Sequence, residues 1–188
     1  MKKLVMFVAI VLVMLAGSAY AQQGGGLAAL RSAAAGITPA LPAVPAAQPA
    51  AGDISDGLLK AAVPADLADL NAGQAAALAL AARAAGIAVF ELDGVQMKTK
   101  PELMAHAAQA LGFPGDFGRN WDALIDYLGE MPDFQHNDRV LILVHNSAAI
   151  LTADAVLYAG LRDAAGLACE NAREWSRSTA VLKFVFIP

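Results

Sequence analysis

Six carboxylates lie between Asp116 and Asp138: Asp116, Asp122, Asp126, Glu130, Asp133 and Asp138. Arg119 is the only base among them. The local charge is −5 within 23 residues, although the whole chain of 188 residues carries only −4. Asp122 and Asp126 are four residues apart, so on a helix they stand on one face, one turn from each other. Trp121, Leu124, Ile125 and Leu128 fall mainly on the other face. Like charges at this spacing oppose helix formation by about 0.2–0.5 kcal/mol. Asp122, near N2, is partly offset by the helix dipole, and Asp126 is too far along to gain much, so the pair has a small folding cost without an obvious local return. As a general acid and base, two carboxylates need surroundings that split their pKa values, and no His, Ser or Lys is positioned beside them in sequence. As a surface, they suit the Arg and Lys side chains of a cationic partner and speed encounter with it. From spacing alone, a plain solvated face is the third possibility.

Other reactive residue types offer less. His106, His136 and His145 have no metal-ligand spacing to one another. Cys169 sits on the apolar side of a long helical pattern, the usual place for a small buried hydrophobe. As a nucleophile it would need a convergent histidine, and only His145, at a strand end, could supply one. A single cysteine excludes an intramolecular disulfide and a multi-cysteine zinc site. No phosphate-binding glycine loop is present. The expectation is a protein with no catalytic residues, no metal and no cofactor. The net negative charge argues against direct contact with nucleic acid, which normally leaves a basic footprint.

The elements that must position the acidic segment are readable from residue 87 on. Ile87–Leu92 is a short apolar strand ending at the turn signal Asp93-Gly94. Thr99–Leu111 reads as a helix, with Thr99 and Glu102 as a capping box and Leu103, Met104, Ala107 and Leu111 on one face. Asn120 can cap a second helix to Leu128, with Gly129 just past its end. Arg139–Val144 is a strand. Thr152 can cap a long helix carrying Leu157, Leu161, Ala164, Ala168, Ala172 and Trp175, with Trp175 expected in the core. Gly160 and Gly166 are places where it could bend. Ala180–Ile187 is a last strand. The order is β-α-α-β-α-β. Strands apolar on both faces and separated by helices imply an α/β fold with a small parallel sheet covered by helices.

The N-terminal part reads differently. Met1-Lys2-Lys3, the apolar run Leu4–Ala16 and the small residues Ala19 and Ala21 form the pattern of a signal peptide, residues 1–21. Export to the periplasm or the medium follows as an expectation, with no membrane attachment after cleavage. Residues 22–64 are rich in Ala, Pro and Gly and read as a disordered tether. Residues 65–86 read as an alanine-rich helix leading into a domain at 87–188. Apolar residues are 57 % of the chain and mean hydropathy is +0.50, but alanine and the leader account for much of this.

The run Asp116-Phe117-Gly118-Arg119-Asn120-Trp121-Asp122-Ala123-Leu124-Ile125-Asp126 resembles the signature of the barstar family of ribonuclease inhibitors. That pattern is an aromatic, Gly, a polar residue, Asn, a large apolar residue, then D-A-L-x-D. The resemblance covers about residues 87–188 and is strongest up to Gly129. It implies a three-stranded parallel sheet packed with helices, and a protein, monomeric when free, that plugs the active site of a basic ribonuclease or ribonuclease-like toxin. It also implies a partner-binding set of Asp116, Phe117, Gly118, Arg119, Asn120, Asp122 and Asp126. Asp126 would be the central anchor and Asp122 a second contact. Phe117, Gly118 and Asn120 would shape the loop, and Trp121 would be core. Three positions depart from the family: Asp116 replaces an aromatic, Ile125 replaces an interfacial tryptophan, and Arg119 adds a positive charge. A non-inhibitory envelope adaptor on the same scaffold is the alternative.

Overall fold

The computed structural model describes residues 51–188. The expected signal peptide, 1–21, and most of the expected tether lie outside the described residues. From residue 51 the chain forms α1 (Ala51–Ala62), β1 (Leu67–Asp69), α2 (Ala72–Ala84), β2 (Ala88–Asp93), one 3-10 turn (Gly94–Gln96) and α3 (Lys100–Leu111). It continues with α4 (Trp121–Gly129), α5 (Met131–Phe134), β3 (Arg139–His145), α6 (Ser147–Ala153), α7 (Ala155–Trp175) and β4 (Val181–Phe186).

All four strands run parallel, in the order β1-β4-β3-β2. The three strands expected from the sequence are present, and β1 is added at the edge beside β4. Along β3 and β4, alternate residues point to opposite faces. Val140, Ile142, Val144, Leu182, Phe184 and Phe186 join residues of α3, α4 and α7 in the main core. Leu141, Leu143 and Val185 of the opposite face are also buried, as are Leu59 of α1 and Leu78 and Ala82 of α2.

Two expectations about the N-terminal part need correction. Residues 51–62 are a helix rather than tether, and residues 65–86 are not one helix. Leu67–Asp69 is strand, and α2 starts after Asn71. The Asn71 side chain accepts from the Gln74 N–H (2.9 Å), and Gln74 Oε1 accepts from the Asn71 N–H (3.2 Å). This capping box fixes the start of α2. β1 is only three residues long, and side chains hold it. Asp66 accepts from Arg173 (2.7 Å) and Lys183 (3.1 Å), and Asp69 pairs with Arg162 (2.6 Å). At the start of β3, Arg139 reaches Asp56 of α1 at 2.8 Å through Nε.

The middle of the chain follows its local signals. Thr99 and Glu102 form the expected capping box of α3, and Gly112 ends that helix with φ 71. Asp154, not Thr152, caps α7, accepting from the Val156 and Leu157 N–H groups. The Thr152 hydroxyl donates instead to the Ala148 carbonyl (2.7 Å) within α6. Despite Gly160 and Gly166, α7 is one continuous helix of 21 residues.

Candidate partner-binding site

The expected loop and helix are formed as a unit. Asn120 caps α4: its Oδ1 accepts from the Ala123 N–H (2.8 Å), and its Nδ2 donates to the Gly118 carbonyl (3.3 Å). A Cβ at Gly118 would lie 3.1 Å from that amide nitrogen. A side chain there would press on the cap, so glycine lets the loop close onto the helix. Arg119 follows with φ 48, a left-handed conformation that costs a non-glycine residue about 1–3 kcal/mol. Its guanidinium is exposed.

Beneath the loop lies an aromatic cluster. Phe113, Phe117 and Tyr127 have ring centroids 5.1–5.6 Å apart. The Tyr127 hydroxyl donates to Asp116 Oδ1 (3.1 Å), tying the start of the loop to the second turn of α4. Desolvation, and then the Asp116 carboxylate, raises the phenol's pKa, so Tyr127 keeps the proton it donates. Phe117 is only 7 % exposed and supports the loop from below, in keeping with the loop-shaping role expected of it. The Asn120 side chain is likewise spent on capping.

Asp122 and Asp126 stand exposed on one face of α4. Neither carboxylate makes a hydrogen bond or ion pair with any described residue, and neither do the carboxylates of Glu130 and Asp133. The other two acids of the cluster are engaged, Asp116 by Tyr127 and Asp138 by Arg139 (3.4 Å). The helix is fixed from behind. Leu124 and Leu128 are buried in the core, and α4 packs along α7. Two tryptophan–glycine contacts bracket the packing. The Trp121 ring lies against Gly160, and the Trp175 ring lies against Gly129. Trp121 is only partly buried, and Lys100 stacks over it with Nζ 5.4 Å from the ring centroid. Trp175, expected in the core, is 47 % exposed. Its period matched the apolar stripe, but it falls in the last turn of α7, where its ring reaches over the end of α4.

The remaining reactive residues do not converge on this site. Cys169 is buried, and desolvation above all pushes its thiol up to about 12, which removes the thiolate a nucleophile needs. His106 Nε2 accepts from the Asp93 N–H (3.0 Å), and His145 faces Glu91 at 3.4 Å. Among the described residues, no group of three His, Cys, Asp or Glu could hold a metal ion. None of their helices is long and apolar enough to cross a membrane.

The D-A-L-x-D run thus lies on a capped, core-anchored helix beside a parallel sheet. Residues 87–186, just over half the chain, match the family profile described as Barstar (barnase inhibitor). The chain belongs to the barstar family. No curated protein matches the chain. The match starts after α2, so α1, β1 and α2 precede the part of the chain that the barstar profile covers.

Proposed function

We propose that this barstar-family protein inhibits a basic ribonuclease or ribonuclease-like toxin, with the exposed face of α4 and the 116–120 loop covering the enzyme's active site. The observation that carries this reading is the state of Asp122 and Asp126. Both are exposed and unpaired, one turn apart, on a helix whose other side is locked in the core. An active site that binds RNA phosphates presents Arg and Lys, and carboxylates at that spacing can take the place of phosphates. Preorganisation by the Asn120 cap and the Tyr127–Asp116 bond reduces the ordering cost of binding. The inhibitor needs no cofactor and turns over no substrate. The leader pattern at residues 1–21 supports export, so the target would be met in the periplasm or outside the cell.

Titration of purified basic ribonucleases, barnase among them, tests this by the rate of RNA cleavage. Stoichiometric inhibition by the wild type, lost in Asp126→Ala and weakened by salt, is the expected result. If none is inhibited, or Asp126→Ala inhibits as well as the wild type, the reading is wrong. Signal-dependent recovery outside the cytoplasm in cell fractionation tests the export.

A further inference from the structure

A helix turns 100° per residue. Taking Asp122 as zero, Asp126 therefore lies at about 40° and Gly129 at about −20°. Gly129 lies beside this pair, about 4.5 Å along the axis beyond Asp126, while the acidic series itself runs on to the exposed Glu130 at about 80°. A Cβ at Gly129 would lie 2.9 Å from Cζ3 of Trp175 and 3.0 Å from Cβ of Asn171. The indole of α7 therefore occupies the place beside the acidic stripe where a side chain at position 129 would stand, and it remains 47 % exposed.

Elsewhere the chain supplies its own cations to its aromatic faces. Lys100 stacks on Trp121, and Arg162 on Tyr158 and Phe186. No cation of the described residues stacks on Trp175. Tryptophan is the best aromatic acceptor for a cation, and it is enriched among the residues that dominate protein interfaces.

We propose that Trp175 is the aromatic anchor of the partner interface, stacking on an Arg or Lys side chain of the ribonuclease at the Asp126 end of the stripe. The inference rests on the inhibitory reading above and adds to it a residue from a second helix. Gly129 is the positioning residue that seats the ring. A cationic side chain docked here would meet the indole on one side and the Asp126 carboxylate on the other.

The test uses the chain labelled with 5-fluorotryptophan, titrated with the unlabelled basic ribonuclease it inhibits, barnase being the first probe. Trp175→Phe assigns the two fluorine resonances. The Trp175 resonance is expected to shift on binding, with that of Trp121 nearly unmoved. Trp175→Leu is expected to weaken binding about 10- to 30-fold, and Trp175→Phe by less. Urea unfolding checks that each variant is folded, and the fluorine shift on the wild type does not depend on any variant's stability. If the Trp175 resonance stays in place and Trp175→Leu binds like the wild type while Asp126→Ala does not, the anchor is wrong and inhibition through α4 stands. If Asp126→Ala also binds like the wild type, or no ribonuclease binds, both readings fail.

Discussion

Two groups of carboxylates among the described residues have opposite fates. Asp56, Asp66 and Asp69, around α1 and β1, are each paired with a cation from another element: Arg139, Arg173 with Lys183, and Arg162. Asp122 and Asp126 of α4 have no cationic partner among the described residues, although Arg119 stands in the loop just before them. The first group holds an edge strand and a helix in place. The second makes no ion pair, and the favourable place of Asp122 in the first turn of its helix is set against a small mutual repulsion. Pairing within the chain thus marks acids that serve folding, which sequence spacing alone does not do.

The largest expected effect separates the groups by binding. Asp126→Ala should weaken ribonuclease binding by about 1000-fold, or roughly 4 kcal/mol, and leave the urea midpoint unchanged or slightly higher. Calorimetric titration and equilibrium unfolding together check this. Asp66→Ala should do the reverse. Lys183 is 8 % exposed, and removing Asp66 leaves its ammonium with only the Ala65 carbonyl. Breaking such a pair costs about 3 kcal/mol, read by urea denaturation, while affinity for the ribonuclease should hold.

Acid sharpens the same contrast. Burial raises the Asp66 carboxyl, but hydrogen bonds from Arg173 and Lys183 outweigh it, and the pKa is lowered overall. The hydrogen bond from Arg139 is the main cause lowering Asp56. A carboxyl lowered in the folded state contributes stability that is complete above its unfolded pKa, about 3.9. That stability is lost as pH falls through the folded value. Urea midpoints should therefore drop as pH falls below about 4, and Asp66→Asn should flatten that drop.

Smaller effects follow at the helix seat. Gly129→Ala puts a methyl group within 2.9 Å of the Trp175 ring and should cost about 1–2 kcal/mol of stability, measured by thermal unfolding. Smallest of all, Asp122→Asn should leave the free stability within about 0.5 kcal/mol, because relief of the repulsion is offset by loss of the favourable interaction of this first-turn carboxylate with the helix dipole, with an accompanying loss of affinity. A fall of more than about 1 kcal/mol would exceed the dipole contribution and mean that Asp122 serves the fold after all.

The centre of the domain was legible because its local signals are strong and agree. The Thr99–Glu102 box, the Asn120 cap, the D-A-L-x-D run and the apolar strands β2, β3 and β4 each specify their element without help from elsewhere. β1 was not legible. Leu67-Ala68-Asp69 has no alternation to read, sits between alanine-rich runs, and is a strand because β4 and three cationic side chains hold it there. The Asn71–Gln74 capping box was the available sign that no single helix covers 65–86. Within the site, the acidic stripe could be read from spacing. The burial of Phe117 and the exposure of Trp175 could not, because both depend on where the loop and α7 lie against α4. Asp154 outcompeted Thr152 as a cap because α6 uses the threonine internally.

The central claim is that the unpaired carboxylates of α4 exist for a cationic protein. Its most direct test is the calorimetric affinity of a basic ribonuclease for the wild type and for Asp122→Asn/Asp126→Asn, each at low and high salt. The account predicts 1:1 binding to the wild type that weakens steeply with salt, and weak binding to the double variant with little salt dependence left. Equal affinities, or a salt dependence unchanged by removing both charges, would contradict it.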